Sequence, residues 1–260
     1  MRLAIVQTNP AFGKNEVNVH VATERMKKAP ADLYVLPELF NTGYNFSTVD
    51  EVDHVAEKAD GATCRAIRGF ARQNSCFVVY GFAERAEALY NSAALVGPGG
   101  LLGVYRKVHL FDRENLFFRP GNTGFPVFEL PFGRVGLMIC FDWLYPEAAR
   151  SLALKGAQVI AHPSNLVLPF CPDGMVTRCL ENRVFAATAD RVGHENRGGL
   201  DIQFIGSSEI VSPRGEILVR MGKEEEGVAV VDVDPKDAEQ KKINEHNDLL
   251  AGRRPDQYLL

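Results

Sequence analysis

The chain has 260 residues, of which 46% are hydrophobic and 24% charged, and its formal net charge is −4 at pH 7. This composition is typical of a globular protein with a core large enough to fold without disulfides or metals. The scattered basic residues exclude a nucleic-acid-binding surface, and no apolar run has the length of a membrane span or a secretory signal.

Short apolar runs separated by longer helical patterns predict a mixed α/β fold in the first half of the chain. Strands are predicted at Leu3–Gln7, Asp32–Leu36, Cys76–Gly81, Tyr90–Val96 and Leu101–Lys107, and helices at Asn15–Ala29 and Thr63–Asn74. In the first helix Val17, Val21 and Met26 are predicted to share one side, and Thr63 is predicted to cap the second helix. The turn Gly97-Pro98-Gly99-Gly100 predicts that the last two strands form a hairpin.

The second half continues the alternation after a predicted loop at Val108–Thr123. Strands are predicted at Val127–Leu130, Arg134–Ile139, Gln158–Ala161, Ala186–Asp190, Gly206–Val211, Glu216–Arg220 and Val228–Val233, and helices at Pro146–Lys155, Val176–Arg183 and from Pro235. Neither repeats nor linkers interrupt the chain, which predicts a single domain over residues 1–260. Hairpins mixed with helix-separated strands predict two β-rich layers covered by helices.

The candidate nucleophile is Cys140, because an apolar strand leads into it and helix-starting residues follow at Asp142 and Pro146. Such a strand-to-helix turn exposes a side chain as in a nucleophile elbow, and a nearby helix N-terminus favours a thiolate. The alternative is a small buried hydrophobic residue, the usual state of cysteine. The five cysteines form no C-x-x-C pair, so we expect a reduced cytoplasmic protein without structural zinc.

Glu38 and Lys107 are candidate partners for this thiol. Glu38 follows an apolar strand, where desolvation should raise its pKa toward that of a general base. Arg106 and Lys107 point to opposite faces of their strand, so one faces inward, where an ammonium needs negative partners and can bind an oxyanion. Taken alone, a glutamate in the position of Glu38 is more often a helix-capping or solvated residue, and a lysine at the end of a strand is more often a surface residue. His109 and His162, near strand ends, are the alternative bases, and no paired-histidine motif indicates a metal.

Three segments, Leu36–Tyr44, Tyr105–Phe111 and Gly136–Glu147, together resemble the nitrilase (carbon–nitrogen hydrolase) superfamily in order and spacing. Further matching segments are Ala4–Gln7, Leu89–Ala93, Phe118–Gly121, His162–Asn165, Leu180–Val184 and Gly206–Ser208. The resemblance implies a four-layer α-β-β-α sandwich in the α/β class and a triad that needs no cofactor or metal. The triad residues that it implies are Glu38, Lys107 and Cys140.

The resemblance also implies supporting residues and an assembly. Glu114 best matches a second glutamate of the site, and its alternative is a solvated loop residue. The implied substrate-binding residues are Tyr44, Phe141, Trp143 and Asn165. The family commonly dimerises through helices that match Pro146–Lys155 and Val176–Arg183, so we expect a homodimer or larger homo-oligomer with the tail 248–260 at the interface.

The implied reaction is acyl transfer on a small amide or nitrile. Glu38 takes the thiol proton while Cys140 attacks, Lys107 and the N–H of Phe141 hold the developing charge, ammonia leaves, and water hydrolyses the thioester.

Two residues after the cysteine bear on the substrate. Trp143 stands where many amidase-like members have an arginine, which argues against a substrate carboxylate, and Asp142 in place of glutamate favours an amidase over a nitrilase. An apolar pocket is predicted from Tyr44, Phe117, Phe118, Trp143 and Phe170. We therefore predict an amidase for small neutral amides. The alternatives are a nitrilase, a Cys–His thiol enzyme and a catalytically silent binding protein.

Overall fold

The computed structural model describes residues 1–258, and its first sheet has six strands. They are β1 (Arg2–Gln7), β2 (Leu33–Val35), β3 (Phe77–Arg85), β4 (Leu89–Gly97), β5 (Gly100–Arg106) and β14 (Gly227–Asp232). Their order across the sheet is β14-β1-β2-β3-β4-β5. Strands β1, β2 and β3 run parallel, with Ile5 opposite Val35 and Val35 opposite Val79, whereas β14, β4 and β5 pair antiparallel with their neighbours.

The second sheet also has six strands, in the order β13-β12-β9-β8-β7-β6. They are β6 (Val127–Leu130), β7 (Gly133–Leu137), β8 (Val159–Pro163), β9 (Phe185–Ala189), β12 (Glu209–Val211) and β13 (Ile217–Arg220). Its centre is parallel, with Val135 of β7 opposite Val159 of β8. A separate hairpin of β10 (His194–Arg197) and β11 (Leu200–Gln203) joins neither sheet.

Helices cover the outer faces of both sheets. They are α1 (Asn15–Lys27), α2 (Val49–Val55), α3 (Ala62–Asn74), α4 (Glu114–Phe117), α5 (Pro146–Leu154) and α6 (Cys171–Asn182), with 3₁₀ turns at Cys140–Leu144, Pro235–Ala238 and Pro255–Gln257. Helices α1 and α3 pack on the first sheet, and α5 and α6 pack on the second. The predicted four-layer α-β-β-α sandwich is therefore confirmed. Between residues 1 and 258 no helix combines the length and apolar character needed to cross a bilayer.

Side-chain alternation along the strands explains this layering. In β1, Leu3 and Ile5 belong to the core between the two sheets, whereas Ala4 and Val6 belong to the core under α1 and α3. A strand buried on both faces has apolar residues at successive positions, as β1 does from Leu3 to Val6. Burial of both faces is the main free-energy gain that holds the two sheets and their helices together.

Most predicted elements are confirmed within a few residues, including the hairpin of β4 and β5. The predicted side of α1 is wrong, because Val17 and Val21 are exposed and Asn18 is buried. Asn18 accepts a hydrogen bond from Ala11 N at 2.8 Å and donates to Asn41 O at 2.8 Å, so a polar residue anchors the helix to a loop.

Helix α3 begins one residue before the predicted cap. Gly61 is its N-cap residue, and Thr63 lies inside the first turn. The carboxylate of Glu57 takes the capping role, accepting from Thr63 N at 2.8 Å and from Thr63 Oγ1 at 2.7 Å. The sequence prediction also missed α2, α4 and the hairpin of β10 and β11. The predicted tail 248–260 includes Leu259 and Leu260, which lie outside the described residues.

Candidate active site

Cys140 lies on a strained turn beyond the end of β7. Its φ is +40°, a left-handed value that a residue with a side chain adopts only when its surroundings enforce it. The 3₁₀ turn Cys140–Leu144 starts at this residue, and the side chain is 6% exposed. The predicted elbow geometry is therefore present, with a 3₁₀ turn in place of an α-helix.

The Asp142 carboxylate holds this turn. It is fully buried and accepts hydrogen bonds from Ile139 N at 2.8 Å and Tyr105 O–H at 2.7 Å. It also contacts His109, at 3.2 Å from the backbone N and 2.7 Å from Nδ1. Because Ile139 precedes the cysteine and His109 follows Lys107 by two residues, one carboxylate ties the two segments together.

Lys107 enters the site directly after β5. Its side chain is fully buried, and its Nζ donates to Glu38 Oε1 at 2.7 Å and to Glu114 Oε1 and Oε2 at 2.8 and 2.9 Å. Arg106 points the other way and pairs with Glu84 at 2.8 Å, which decides which of the two basic residues faces inward. Burial opposes the charge of Lys107, but the carboxylates of Glu114 and Glu38 outweigh it and raise its pKa.

Glu38 lies three residues beyond β2 and is fully buried. Its Oε1 accepts from Asn91 Nδ2 at 2.6 Å and from Lys107 Nζ at 2.7 Å, whereas its Oε2 has no partner within residues 1–258. Burial raises the pKa of Glu38 to about 7, against the opposing effect of Lys107. This carboxyl group can therefore exchange a proton near neutral pH.

Glu114 begins α4 and reaches the same ammonium. Its Oε1 accepts a hydrogen bond from Tyr44 O–H at 2.7 Å. Tyr44 is fixed in turn through its backbone, because Tyr44 N and Asn45 N donate to the Glu195 carboxylate. Glu195 forms a buried ion pair with Arg191. The hairpin of β10 and β11 is thus linked through Tyr44 to the lysine.

The thiol of Cys140 faces these charges. Its Sγ donates to Asn165 O at 3.8 Å, and the charges of Glu38, Lys107 and Glu114 all act on it. Burial, with Glu38 adding to it, raises the thiol pKa well above its ordinary value although Lys107 opposes the shift. Desolvation therefore outweighs the favourable effect of the turn's N-terminus on the thiolate, and attack requires a base, as the predicted role of Glu38 assumes.

The two candidate histidines have other partners. His162 is fully buried and contacts Cys140 O at 2.9 Å through Nε2 and Thr188 Oγ1 at 3.0 Å through Nδ1. Burial lowers the pKa of His162 to about 4. His109 contacts Asp142 and stacks on Tyr145, with ring centroids 3.6 Å apart. Both ring nitrogens of His162 and Nδ1 of His109 have other partners, whereas Glu38 Oε2 has none within residues 1–258 and the Glu38 charge acts on the thiol, so the geometry favours Glu38 over histidine as the base.

A cavity of about 430 Å³ adjoins Tyr44 and Glu114. Phe117 and Phe118, both predicted to line a pocket, contribute to its wall, as do Leu200 and Ile202 of the separate hairpin. Aromatic and aliphatic side chains make up much of the wall, and the polar and charged residues in it are Asn45, Asp112, Arg113, Glu114, Asp201 and Gln203.

Other residues predicted at the pocket lie elsewhere. Trp143 is 7% exposed and its indole is packed so closely on Gly174 of α6 that an added Cβ there would lie 2.5 Å from it. Phe170 is 64% exposed. Neither lines the cavity, because the turn after the cysteine directs Trp143 toward α6. Phe141 packs edge-on against Phe111, at a centroid distance of 5.0 Å.

Several residues of the site were missed by sequence reasoning. Asn91 belongs to a matching segment but was given no role, and it shares the inter-sheet side of β4 with Ala93 and Leu95. Strand alternation could have indicated that it faces inward. The supporting roles of Asp142 and Glu195 depend on partners that are distant in sequence, Tyr105 and His109 for Asp142 and Tyr44 for Glu195, so the local pattern did not indicate them.

The arrangement brings a carboxyl base, an ammonium and a thiol into one buried cluster, with a second carboxylate behind the ammonium. These groups can transfer a proton, form a covalent acyl intermediate and stabilise an oxyanion. In the described part of the chain, no group of three histidine, cysteine, aspartate or glutamate side chains is arranged to hold a metal ion.

Comparison with known proteins gives consistent findings. A family model described as carbon–nitrogen hydrolase matches residues 2–243. A protein named nitrilase from Pyrococcus abyssi is 49% identical over 263 residues, which cover 99% of this chain and 99% of that protein. A crystal structure of an amidase from Nesterenkonia sp. superimposes with a TM-score of 0.81 at 28% identity, covering 98% of this chain and 94% of that one. A variant of that amidase carries acrylamide added to its active-site cysteine (TM-score 0.77, 28% identity, 93% and 96% covered).

Proposed function

The chain belongs to the carbon–nitrogen hydrolase family, and from this premise we propose that it is an amidase that hydrolyses small uncharged primary amides. The observation that carries the proposal is the convergence of Glu38, Lys107 and the Cys140 thiol in one buried cluster. A buried ammonium between two carboxylates is costly to maintain, and a catalytic use explains why the site contains it.

The first step is proton transfer from the thiol to Glu38. Because burial holds the thiol in its neutral form, the sulfur becomes nucleophilic only as a base removes its proton. Glu38 has a pKa of about 7 and an unpartnered Oε2, so it has both the affinity and the free lone pairs for that proton. The sulfur then forms a bond to the substrate carbonyl carbon, and the C=O π electrons move to oxygen.

The developing oxyanion is stabilised by Lys107 and the backbone N–H of Phe141. Lys107 is held by the Glu38 and Glu114 carboxylates, so it stays charged and does not need to reorganise during the reaction. Glu38 returns its proton to the amine nitrogen, and the C–N bond breaks to release ammonia. Glu38 next takes a proton from water as the water oxygen attacks the thioester carbon. The C–S bond then breaks, the carboxylic acid leaves, and Glu38 returns the proton to the sulfur.

Glu114 acts as a positioning residue in this scheme. Its two oxygens both contact Lys107 Nζ, and Tyr44 O–H fixes one of them. Removal of its charge would leave Lys107 with one carboxylate partner and lower the lysine pKa. Two further residues of the predicted binding set contact this cluster, Tyr44 through Glu114 and Asn165 through its backbone carbonyl, which accepts from Sγ.

A nitrilase is the second candidate, and the similarity to the Pyrococcus abyssi nitrilase favours it. The same triad can add to a C≡N carbon. Asp142 in place of glutamate and the amidase structures among the similar proteins support the amide. The phenylalanine side chains in the cavity beside Glu114 suit an apolar acyl chain in either case.

An ammonia-release assay on matched pairs of amide and nitrile tests the proposal, with Cys140→Ala as the blank. We expect ammonia from the amide and an acyl-enzyme mass on Cys140. If the nitrile were hydrolysed and the amide were not, the protein would be a nitrilase and the amidase proposal would be wrong. If neither substrate were hydrolysed and iodoacetamide did not label Cys140, the protein would instead be a catalytically silent binding protein.

We also propose that residues 1–260 form one domain, that it acts in the cytoplasm, and that it assembles as a homodimer through α5 and α6. Exposed leucines support the interface, since Leu154 of α5 and Leu180 of α6 are 46% and 47% exposed. All five cysteines are free, which suits a reducing compartment. Sedimentation equilibrium of wild type and Leu180→Arg tests the dimer, which the variant should weaken.

A further inference from the structure

Three neighbouring parallel strands of the second sheet end beside the nucleophile. Strands β7, β8 and β9 run parallel, so their carboxyl ends lie at one edge of the sheet. Cys140 follows β7 by three residues, Asn165 follows β8 by two, and Asp190 follows β9 directly. Functional groups of α/β proteins are commonly placed at this edge. The mechanism above uses Cys140 but gives the buried Asp190 no role.

Asp190 is a buried carboxyl group, and the cation next to it pairs with another residue. Its side chain is fully buried, and its Oδ2 has no hydrogen-bond partner within residues 1–258. The guanidinium of the adjacent Arg191 pairs with Glu195. Burial raises the pKa of Asp190 well above its ordinary value. A carboxyl group that is only partly paired inside a protein costs stability, so a functional contact is expected to explain it.

The other oxygen of Asp190 contacts the peptide that holds the thiol. Leu166 N donates to Asp190 Oδ1 at 2.7 Å, and Cys140 Sγ donates to Asn165 O at 3.8 Å. The carbonyl of Asn165 and the N–H of Leu166 belong to one planar peptide group. A hydrogen bond from the N–H of a peptide fixes the orientation of that group and strengthens its C=O as an acceptor. Asp190 is therefore connected to the sulfur through a single rigid peptide.

Backbone contacts keep the carboxyl group and the peptide in place. Asp190 N donates to Ser208 Oγ at 2.8 Å, and Ser208 Oγ donates to Gln7 Oε1 at 2.6 Å. Ser164 N donates to Ala189 O at 2.8 Å, which continues the pairing of β8 with β9 toward the peptide. The donor and the acceptor of the bond between Leu166 and Asp190 are therefore both fixed by neighbouring strands.

We propose that Asp190 is a positioning residue for the nucleophile, which orients the 165–166 peptide so that its carbonyl holds Sγ of Cys140 at the place of attack. Without that carbonyl the sulfur is free to rotate, and misplacement of a reacting atom by about 1 Å can lower a rate by ~10²-fold. This inference rests on the amidase function proposed above, because the rate concerned is that of attack on the amide.

The test compares Asp190→Ala and Asp190→Asn with wild type in ammonia release from the amide and in the rate at which iodoacetamide alkylates Cys140. Asp190→Ala removes the acceptor for Leu166 N, so we expect kcat and the alkylation rate both to fall at least ~10-fold while KM changes less than ~3-fold. Asp190→Asn keeps an Oδ1 acceptor in the same place, so both rates should stay within ~3-fold of wild type.

Glu209→Ala is the matched control, because Glu209 of β12 is also fully buried and its Oε1 has no partner within residues 1–258. Its Oε2 accepts from Arg220 Nε at 2.8 Å, so this carboxylate is bound to an arginine and not to the 165–166 peptide. Both alanine variants should lose stability in guanidinium unfolding, but only Asp190→Ala should lose kcat. A purely structural role of Asp190 would lower the unfolding midpoint and leave kcat per folded molecule unchanged.

Three results would overturn the inference: unchanged kcat in Asp190→Ala, a loss confined to KM, or equal losses in Asp190→Ala and Asp190→Asn. If Asp190→Ala does not fold, Asp190→Ser decides the question, because its hydroxyl is one bond too short to accept from Leu166 N. It should show the same fall, and wild-type rates in it would contradict the positioning role. Wild type inert on every amide would contradict the amidase, whereas slower alkylation of Cys140 in Asp190→Ala would still support the positioning role.

Discussion

Gly81→Ala should lower the activity by displacing Glu38, because Gly81 of β3 packs directly against the backbone of Glu38. An added Cβ would be 2.5 Å from Glu38 Cα and 2.8 Å from Leu39 N, whereas ordinary contacts are 3.4–4 Å. Backbone hydrogen bonds lock the two segments together, from Gly81 N to Pro37 O at 3.1 Å and from Phe40 N to Gly81 O at 3.2 Å. The clash involves main-chain atoms, so no side-chain rotation can relieve it.

The geometry sets the size of the effect. Glu38 must retreat by about 1 Å to restore ordinary contact, and its carboxylate bonds to Lys107 Nζ at 2.7 Å. A displacement of this size in a catalytic group can lower a rate by ~10²-fold. Overpacking of a buried site also costs about 1–3 kcal/mol of stability. We therefore expect kcat/KM for the amide to fall by roughly 30- to 100-fold.

The assay is ammonia release with a guanidinium unfolding curve for each variant. Gly69→Ala on α3 is the control, because an added Cβ there meets no atom within 4 Å, and alanine is the better helix former. It should retain wild-type activity and gain up to ~1 kcal/mol. A folded Gly81→Ala variant with wild-type kcat/KM would refute the close packing of β3 on Glu38 as the determinant of the base position.

Three further predictions concern the titrating and supporting groups. The pKa of Glu38 is raised to about 7 and its charged form is the base, so kcat/KM should rise with pH and level off above that value; a profile flat from pH 5 to 9 would exclude Glu38 as the base. Asp142→Asn can satisfy fewer of the donors that converge on the carboxylate, so kcat should fall while KM changes little, with a stability loss of roughly 1–3 kcal/mol by denaturant titration; unchanged kcat would show that the elbow does not depend on this carboxylate. Burial lowers the pKa of His162 in the folded protein to about 4 from 6.5. Between these two pH values the unfolded chain binds a proton that the folded protein does not, so the free energy of unfolding falls as the pH drops from 6.5 toward 4, by at most about 3 kcal/mol. His162→Gln should lose less stability than wild type between pH 7 and pH 4.5, and equal losses would contradict the burial of a neutral imidazole.

Sequence patterns were informative wherever a signal is local. Alternation on β5 showed that one of Arg106 and Lys107 faces inward, but only packing decides which, since Glu84 beside β5 takes the arginine and Glu38 with Glu114 takes the lysine. Cys140 could be recognised because an apolar strand and a helix start flank it within a few residues. The strain at φ +40° could not be recognised in this way, because the turn is held in part by contacts of Asp142 with Tyr105 and His109, which are far away in the chain.

By itself the sequence determined the two-sheet architecture and the three segments that meet at the site, because strand periodicity and motif spacing are properties of neighbouring residues. The tertiary structure alone decided the protonation of the thiol, the contact of Glu114 with Lys107, the burial of Trp143 against Gly174 and the contact of Asp190 with Leu166 N. Each of these depends on which distant groups share a low-dielectric space. That packing determines which groups are desolvated and which hydrogen bonds are satisfied, and neither property produces a periodic pattern in the sequence.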